Sequence, residues 1–301
     1  MKQRYIPICL LVFFLSCAGY SNLYVEKHDD HSCYFFPNLE SDKLLIYIEG
    51  SGLGSVLGVK KGSSWKRRNL GYYIVKRYNR HFNIMIPEKL QMEMGKSYSG
   101  DRNVLYNYTY ENLVESYAES INRHLSENRY SAVYLVGCSE GGLVLPGLYS
   151  RIQMKDIIRK IVIWGGGGLG QYEAFKILGK SEIDMPEDYR NACLDIEEAG
   201  RLIDENPDSI DDYYLGWPYR RWSSFFRYNP SDYLSDMKLP VLFIHGLKDW
   251  HYPVESTQYA EKMDFHDEFE FRYYPDMGHG PENVFGLNSL LDDIFDWIRE
   301  D

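Results

Sequence analysis

Residues 132–142 read AVYLVGCSEGG, and this stretch decides how the rest of the sequence is interpreted. Its first five residues are apolar and uncharged, which predicts a short buried strand. Ser139 follows between Gly137 and Gly141, and residues 142–149 can form a helix. A strand-to-helix corner with small residues around a serine makes a tight turn that projects the hydroxyl group into open space. The stretch therefore predicts an exposed serine hydroxyl group, and its role depends on whether the rest of the chain supplies a base, an acid and an oxyanion site in a workable order.

The bulk composition favours one large α/β domain. The chain has 301 residues, of which 44% are hydrophobic, and this is enough to bury one large core. Its formal net charge is −11 at pH 7. Because a phosphate-binding surface needs an excess of positive charge, we expect no nucleic-acid partner.

Residues 1–17 predict an export signal. Lys2 and Arg4 precede an almost entirely apolar run over residues 6–15, which is too short for a comfortable transmembrane helix. We therefore expect an exported protein at a periplasmic or outer-surface location, with residues 18–301 forming a single domain. An uncleaved apolar anchor is the alternative interpretation.

The end of this segment bears on membrane attachment. Residues 14–19 read FLSCAG and resemble a bacterial lipobox, in which the cysteine, here Cys17, is lipidated and becomes the mature N-terminus. This motif predicts a membrane tether through Cys17. Phe14 departs from the usual aliphatic residue, so cleavage after Ser16 or Ala18 by an ordinary signal peptidase stays open.

The remaining cysteines predict no metal site. Cys33, Cys138 and Cys193 are far apart, and no pair in the chain has the spacing of metal ligands. A bridge between Cys33 and Cys193 is conceivable in an oxidising compartment, and three scattered buried thiols are the alternative. Cys138 is interpreted as a small packing residue.

Buried strands alternate with helices along the chain. Such alternation predicts a mostly parallel central sheet with helices on both faces. A strand pair is predicted within residues 23–36, and the other predicted strands cover residues 43–48, 82–86, 132–136, 157–164, 240–244 and 268–274. Helices are predicted over residues 65–78 and over 110–127, where Thr109 is the expected N-cap. Residues 169–238 lack a clear apolar strand, and we interpret them as a helical cap inserted over the edge of the sheet.

Two further residues can activate Ser139. Asp249 lies in the loop after the strand at 240–244, and His279 lies between two glycines after the last strand. A serine needs a base to take its proton, and the base must be oriented by an acid. All three residues follow strands, so we expect them at one rim of the sheet, in the order Ser, Asp, His. Asp276 is the rival acid, although it more naturally caps its own turn.

Taken together, Ser139 in its motif, Asp249 in HGLKDWHYP and His279 in GHG resemble the catalytic triad of the α/β-hydrolase superfamily. The resemblance covers essentially the whole chain after the export segment. It implies the α/β-hydrolase fold, a serine hydrolase acting on a small-molecule or peptide acyl substrate, and no cofactor or metal. It also implies an oxyanion hole made by the N–H of Glu140 and of a residue in the loop after an early strand, for which we choose Ser51. The chain has Glu49 where many relatives carry histidine.

Alternative functions stay open at this point. GGGGLG at residues 165–170 matches a dinucleotide fingerprint, which would require a second strand ending in an acid about twenty residues later. We prefer a glycine-lined floor of the active-site cleft. Acidic residues between 195 and 212 could bind a substrate amine, as in aminopeptidase or dipeptidyl-peptidase relatives, or form a solvated helix face. A catalytically silent binding protein on the same fold is the remaining alternative.

Overall fold

The computed structural model describes residues 23–27, 32–62, 64–263, 266–281 and 283–300. The strands are β1 (Tyr24–Lys27), β2 (Ser32–Phe36), β3 (Lys43–Ile48), β4 (Gly58–Lys61), β5 (Ser64–Arg68), β6 (Asn83–Pro87), β7 (Ala132–Cys138), β8 (Ile158–Trp164), β9 (Tyr213–Tyr214), β10 (Trp217–Pro218), β11 (Val241–Gly246) and β12 (Phe269–Tyr274). The helices are α1 (Leu70–Tyr78), α2 (Arg102–Asn107), α3 (Tyr110–Glu127), α4 (Glu140–Arg151), α5 (Gln171–Lys180), α6 (Glu187–Leu194), α7 (Ile196–Glu205), α8 (Tyr219–Arg227), α9 (Ser231–Leu234), α10 (Val254–Met263) and α11 (Val284–Arg299).

One large sheet organises the described part of the chain. Its eight strands lie in the order β1-β2-β6-β3-β7-β8-β11-β12. Every neighbouring pair from β6 to β12 is parallel, whereas β1 and β2 join one edge antiparallel. The predicted mostly parallel sheet is therefore confirmed. Since parallel strands end at the same edge, the loops after β3, β7, β8, β11 and β12 meet there.

Helices cover both faces of this sheet, as predicted. Successive side chains of a strand point to opposite faces. In β3, Leu44 and Ile46 therefore join one buried cluster, which α3 and α4 complete. Leu45 and Tyr47 join the other, which α1 and α11 complete. Both clusters remove the strands from water, which explains why β3 and β7 read as nearly continuous apolar runs.

The predicted helix boundaries hold in one region and fail in another. Helix α3 has the predicted bounds, and the side chain of Thr109 accepts a hydrogen bond from the N–H of Asn112 at 3.3 Å, so the predicted N-cap is confirmed. The predicted helix over 65–78 is wrong in its first part, because β5 pairs with β4 in an antiparallel hairpin. Gly62, with φ of 62°, supplies the left-handed backbone that this turn needs.

The segment between β8 and β11 is helical. It carries α5 to α9 and the short hairpin β9-β10, and it contributes no strand to the large sheet. It has a small apolar core of its own, which includes Phe175, Cys193 and Trp222. Cys193 is a free thiol in this core, so no bridge to Cys33 is formed. We call residues 169–238 the cap, and the exact domain limits stay a prediction.

The predicted export signal and Cys17 fall on residues 1–22, which lie outside the described residues. Among the helices that are described, none is both long and apolar enough to cross a membrane.

Candidate active site

Ser139 lies at a sharp corner between β7 and α4. Its backbone has φ of 57° and ψ of −122°, a conformation that residues other than glycine rarely adopt. A Cβ atom at Gly137 would lie 2.5 Å from the carbonyl oxygen of Gly141, and one at Gly141 would collide with the carbonyl oxygen of Ile48. Only glycine fits these two positions. The small residues therefore permit the predicted corner, at which Ser139 is partly exposed.

Three predicted residues form a single hydrogen-bonded chain. Nε2 of His279 lies 2.7 Å from Oγ of Ser139, and Nδ1 of His279 lies 2.7 Å from Oδ2 of Asp249. The three residues follow β7, β12 and β11, so each comes from a loop at the carboxyl edge of the sheet. The fold thus brings together the predicted nucleophile, base and acid, although Ser139 and His279 are 140 positions apart.

The surroundings of Asp249 favour its ionised form. Its side chain is 1% exposed, and Oδ1 accepts hydrogen bonds from the backbone N–H groups of His251 at 2.9 Å and Tyr252 at 3.1 Å. Burial alone would raise the pKa of Asp249, but the hydrogen bond and charge of His279, with smaller effects of His245 and the His251 N–H, hold this pKa below its usual range. An ionised Asp249 accepts the Nδ1 proton of His279. Nε2 can then accept the proton of Ser139.

The rival acid lies elsewhere. Asp276 has a side chain that is 93% exposed, and its Oδ1 accepts a hydrogen bond from Nζ of Lys248 at 2.7 Å. It therefore sits in a solvent-exposed ion pair. The carboxylate that contacts the imidazole of His279 is that of Asp249.

Two other histidines flank the same acid. His245 is fully buried, and its ring nitrogens lie 2.8 Å from Oγ1 of Thr257 and 3.0 Å from the carbonyl oxygen of Tyr252. Burial lowers the pKa of His245, so it is a neutral packing residue at neutral pH. His251 is exposed, and its ring lies 4.9 Å from that of His279. Burial of one part of the ring and the charge of His279 lower the pKa of His251, whereas the charge of Asp249 opposes them.

The glycine run after β8 lies against the triad. A Cβ atom at Gly165 would lie 3.3 Å from Cε1 of His279, and one at Gly166 would lie 3.1 Å from the carbonyl oxygen of Ser139. The next elements are helices α5 and α6, so the second strand that a dinucleotide fingerprint needs is not formed there. This run is a close-packed wall of the candidate site.

The loop after β3 approaches the nucleophile from the other side. A Cβ atom at Gly50 would lie 3.1 Å from Cβ and 3.6 Å from Oγ of Ser139. The carboxylate of Glu49 accepts hydrogen bonds from the N–H groups of Gly50 and Gly71, each at 3.0 Å. Ser51 directly follows Gly50 in this loop, and Glu140 directly follows Ser139. The two expected oxyanion donors thus belong to segments that touch each other at the serine.

The structure also reveals residues that the sequence did not single out. The buried carboxylate of Glu140 accepts hydrogen bonds from Oη of Tyr108 and from Nη2 of Arg221, each at 2.5 Å. Arg221 belongs to α8 in the cap, whereas Tyr108 follows α2. No spacing distinguishes Arg221 from its neighbour Arg220, so only the three-dimensional contact identifies it.

Five of the eight residues in the predicted acidic run of the cap form ion pairs at the surface. A carboxylate oxygen of Glu197 lies 2.8 Å from Nζ of Lys176, and one of Glu198 lies 2.7 Å from Nη2 of Arg201. The members of the predicted acidic run are all exposed; they are Asp195, Glu197, Glu198, Asp204, Glu205, Asp208, Asp211 and Asp212. The pattern is typical of a solvated helix face.

Within the described part of the chain, one group of side chains has the spacing of metal ligands. Ligand atoms of Asp249, His251 and His279 lie within 4.8 Å of one another. Two of these residues already belong to the hydrogen-bonded chain with Ser139, so the group is interpreted as part of that chain.

Comparisons with known proteins identify the fold. No protein-family model matches the chain, and no curated protein matches its sequence significantly. Among solved structures, a lipase-esterase related protein of Clostridium acetobutylicum is 15% identical, with a TM-score of 0.55 and coverage of 88% of this chain and 98% of that one. An α/β-hydrolase fold protein of Chitinophaga pinensis is also 15% identical, with a TM-score of 0.56 and coverage of 93% and 98%.

A larger protein is similar over one of its parts. The acylaminoacyl peptidase of Pyrococcus horikoshii is 13% identical, with a TM-score of 0.55, over 91% of this chain and 41% of the peptidase chain. Identities this low speak to the fold alone. The strand order, the serine corner and these neighbours agree: the chain has the α/β-hydrolase fold.

Proposed function

We propose that this protein is a serine hydrolase that cleaves an ester, thioester or amide bond through an acyl-enzyme intermediate. The observation that carries the proposal is the hydrogen-bonded chain from Ser139 through His279 to Asp249, with both distances at 2.7 Å. Nucleophile, base and orienting acid within hydrogen-bond reach are what covalent acyl transfer requires.

The chemistry follows from this arrangement. Oγ of Ser139 attacks the carbonyl carbon while its proton passes to Nε2 of His279. As the tetrahedral intermediate collapses, the leaving group takes that proton and the acyl group stays on Ser139. A water molecule then gives a proton to His279 and attacks the acyl carbon. The bond to Oγ breaks, Ser139 takes the proton back from His279, and the acid is released. Asp249 holds the imidazole in the correct tautomer and stabilises its positive form.

The backbone N–H groups of Ser51 and Glu140 are proposed to receive the oxyanion. They belong to the two segments that meet at the nucleophile, since Gly50 packs on Ser139 and Glu140 begins α4. A helix N-terminus adds positive potential at this position. Each oxyanion donor is worth about 3 kcal/mol in well-studied hydrolases.

Labelling with a fluorophosphonate tests the assignment. The probe should modify the wild-type protein at Ser139, and Ser139→Ala should remove both labelling and hydrolysis of p-nitrophenyl acetate. Asp276→Asn is a matched control, because Asp276 lies in an exposed ion pair away from the imidazole. Labelling that persists in Ser139→Ala would reject Ser139 as the nucleophile. A folded wild-type protein with neither labelling nor turnover would favour a catalytically silent binding protein.

We favour an ester over a peptide substrate. An aminopeptidase-like activity would need cap carboxylates that bind the substrate amine, and the acidic residues of the cap are exposed, several of them in ion pairs with lysine or arginine. Turnover of p-nitrophenyl acyl esters should therefore exceed that of aminoacyl-p-nitroanilides. Faster cleavage of the anilides would make the protein a peptidase.

We also propose that the protein is exported and tethered to a membrane through a lipid on Cys17. The basic start, the apolar run and the FLSCAG motif of the sequence support this proposal. Expression with a labelled fatty acid should give a labelled mature protein, and Cys17→Ser should abolish the label. A mature N-terminus at another residue, read by mass spectrometry, would instead indicate simple secretion.

A further inference from the structure

A buried ion pair joins the cap to the residue that follows the nucleophile. Glu140 is 4% exposed and Arg221 is 1% exposed. Oε2 of Glu140 lies 2.5 Å from Nη2 of Arg221, and Oε1 accepts the hydroxyl proton of Tyr108 at 2.5 Å. The Glu140 side chain is therefore held by one residue of the cap and by one residue of the main body.

Stability alone does not explain why this pair is charged. A buried ion pair is often no better than well-packed apolar side chains of similar volume, because two charges must be removed from water. Arg221 is a costly example, since its Nε and Nη1 atoms are buried and have no hydrogen-bond partner within the described residues. Its guanidinium instead lies among aromatic rings, 4.2 Å from the ring centre of Phe225 and 4.3 Å from that of Trp222. A positioning role explains why a charge occupies this apolar place.

The same buried cluster reaches the loop of the other oxyanion donor. Lys89 is 1% exposed, and its Nζ donates a hydrogen bond to the carbonyl oxygen of Gly52 at 2.9 Å. The centre of the Tyr108 ring lies 6.0 Å from Nζ of Lys89 and 5.9 Å from Cζ of Arg221, so both cations are neighbours of this ring. Both segments that approach Ser139 are thus held by hydrogen bonds from cations that neighbour the Tyr108 ring.

We propose that Arg221 and Tyr108 are positioning residues that aim the backbone N–H of Glu140 at the oxyanion by holding its carboxylate. This inference rests on the proposed function. Rotation of the Glu140 backbone would turn its N–H away from the developing charge, and the two hydrogen bonds to its side chain oppose that rotation. Because Arg221 belongs to the cap, displacement of the cap weakens the oxyanion hole. The oxyanion hole is therefore fully formed only while the cap holds Arg221 against Glu140.

The first test is Arg221→Met, which keeps an apolar stem of similar length among the aromatic rings. Loss of an oxyanion donor lowers kcat by about 10²–10³-fold, so a misaimed donor should lower kcat by about 10- to 100-fold while KM for p-nitrophenyl acetate changes less than about twofold. Binding of phenylboronic acid, which forms a tetrahedral adduct with an active serine, should weaken by the same factor as kcat. Arg221→Lys should recover part of the activity.

Arg220→Met is the matched control. Arg220 is the adjacent arginine of α8, and it donates to the carbonyl oxygen of Tyr106 at 2.7 Å without contacting Glu140. We expect its kcat to stay within about twofold of wild type, because the carboxylate of Glu140 keeps its hydrogen bonds to Arg221 and Tyr108. Equal losses of kcat in Arg220→Met and Arg221→Met would overturn the inference.

A double variant separates positioning from stability. Arg221→Met alone leaves an uncompensated buried carboxylate and should lower the melting temperature. Arg221→Met with Glu140→Met removes both charges, so the melting temperature should return toward the wild-type value while kcat stays low. Recovery of kcat together with stability would show a merely structural role and reject the proposal.

Tyr108→Phe keeps the proposal testable if the arginine variants fail to fold. It removes one hydroxyl group and should lower kcat by about 3- to 10-fold at unchanged KM; an unchanged kcat would count against the inference. If the wild-type protein hydrolyses the ester and the Arg221 and Tyr108 variants have the same kcat, this inference is rejected while the proposed function stands. A wild-type protein that neither hydrolyses the ester nor reacts with the fluorophosphonate rejects the proposed function, and the inference with it.

Discussion

Replacing Gly165 with alanine should both slow the proposed reaction and destabilise the fold. Gly165 has φ of 64°, and a Cβ atom there would lie 3.3 Å from Cε1 and 3.5 Å from Nδ1 of His279. The left-handed backbone costs an L-residue about 1–2 kcal/mol. The imidazole must also move by roughly 0.3 Å to reach an ordinary carbon–carbon separation.

The expected losses follow from these two effects. A misplacement of about 1 Å can cost about 10²-fold in rate, so a shift of a few tenths of an ångström should lower kcat/KM by about 3- to 10-fold. Both 2.7 Å hydrogen bonds of His279 are affected, since the shifted ring carries both nitrogens. Each kcal/mol of backbone strain should lower the melting temperature by about 2–4 °C.

Gly62→Ala supplies the matched control. Gly62 has φ of 62°, and no atom lies within 4 Å of a Cβ atom built there. It carries the backbone cost without any contact to the imidazole. Thermal unfolding should give similar melting temperatures for the two variants. In p-nitrophenyl acetate hydrolysis, only Gly165→Ala should show a reduced kcat/KM. Equal activity in the two variants would refute the proposed steric effect on His279.

Three further outcomes are expected. Asp249→Asn should lower kcat by about 10⁴-fold in ester hydrolysis, whereas Asp276→Asn should change it less than about twofold because its ion pair is exposed; the reverse pattern would assign the orienting role to Asp276. Gly141→Ala should abolish cooperative thermal unfolding or soluble expression, since its Cβ atom would collide with the backbone of Ile48; a wild-type melting curve would contradict this. The lowered pKa of Asp249 should stabilise the fold above about pH 4, the ordinary Asp pKa, and this stability should disappear as pH falls through the lower folded-state pKa. Denaturant titrations should therefore show a gap in unfolding free energy between wild type and Asp249→Asn that narrows below about pH 4, and a gap independent of pH would argue against an ionised Asp249 in the fold.

Local patterns were sufficient to predict the sheet and the meeting of the three site residues. Buried strands are short and apolar in the sequence, and the topology of a parallel sheet carries the loops after them to one edge. Ser139, Asp249 and His279 each follow such a strand, so the sequence places them at one edge of the sheet. The structure contains the hydrogen-bonded chain expected from this placement.

Contacts that depend on a single long-range neighbour could not be predicted. Arg220 and Arg221 are adjacent in the same helix, yet one bonds the carbonyl oxygen of Tyr106 and the other bonds the carboxylate of Glu140. Helical periodicity separates the faces of α8 but does not identify their partners. The β4-β5 hairpin was missed for a different reason: its charged residues carry little apolar periodicity, and its turn depends on the backbone of Gly62.

The position of β12 has a consequence for when reactivity arises. His279 follows this last strand of the sheet, and β12 pairs only with β11 among the described strands. A growing chain therefore contains the serine corner long before it contains His279, and a chain that ends before residue 279 lacks this imidazole. In the proposed mechanism, Ser139 therefore has no general base until β12 and the loop after it have been made and have joined the sheet.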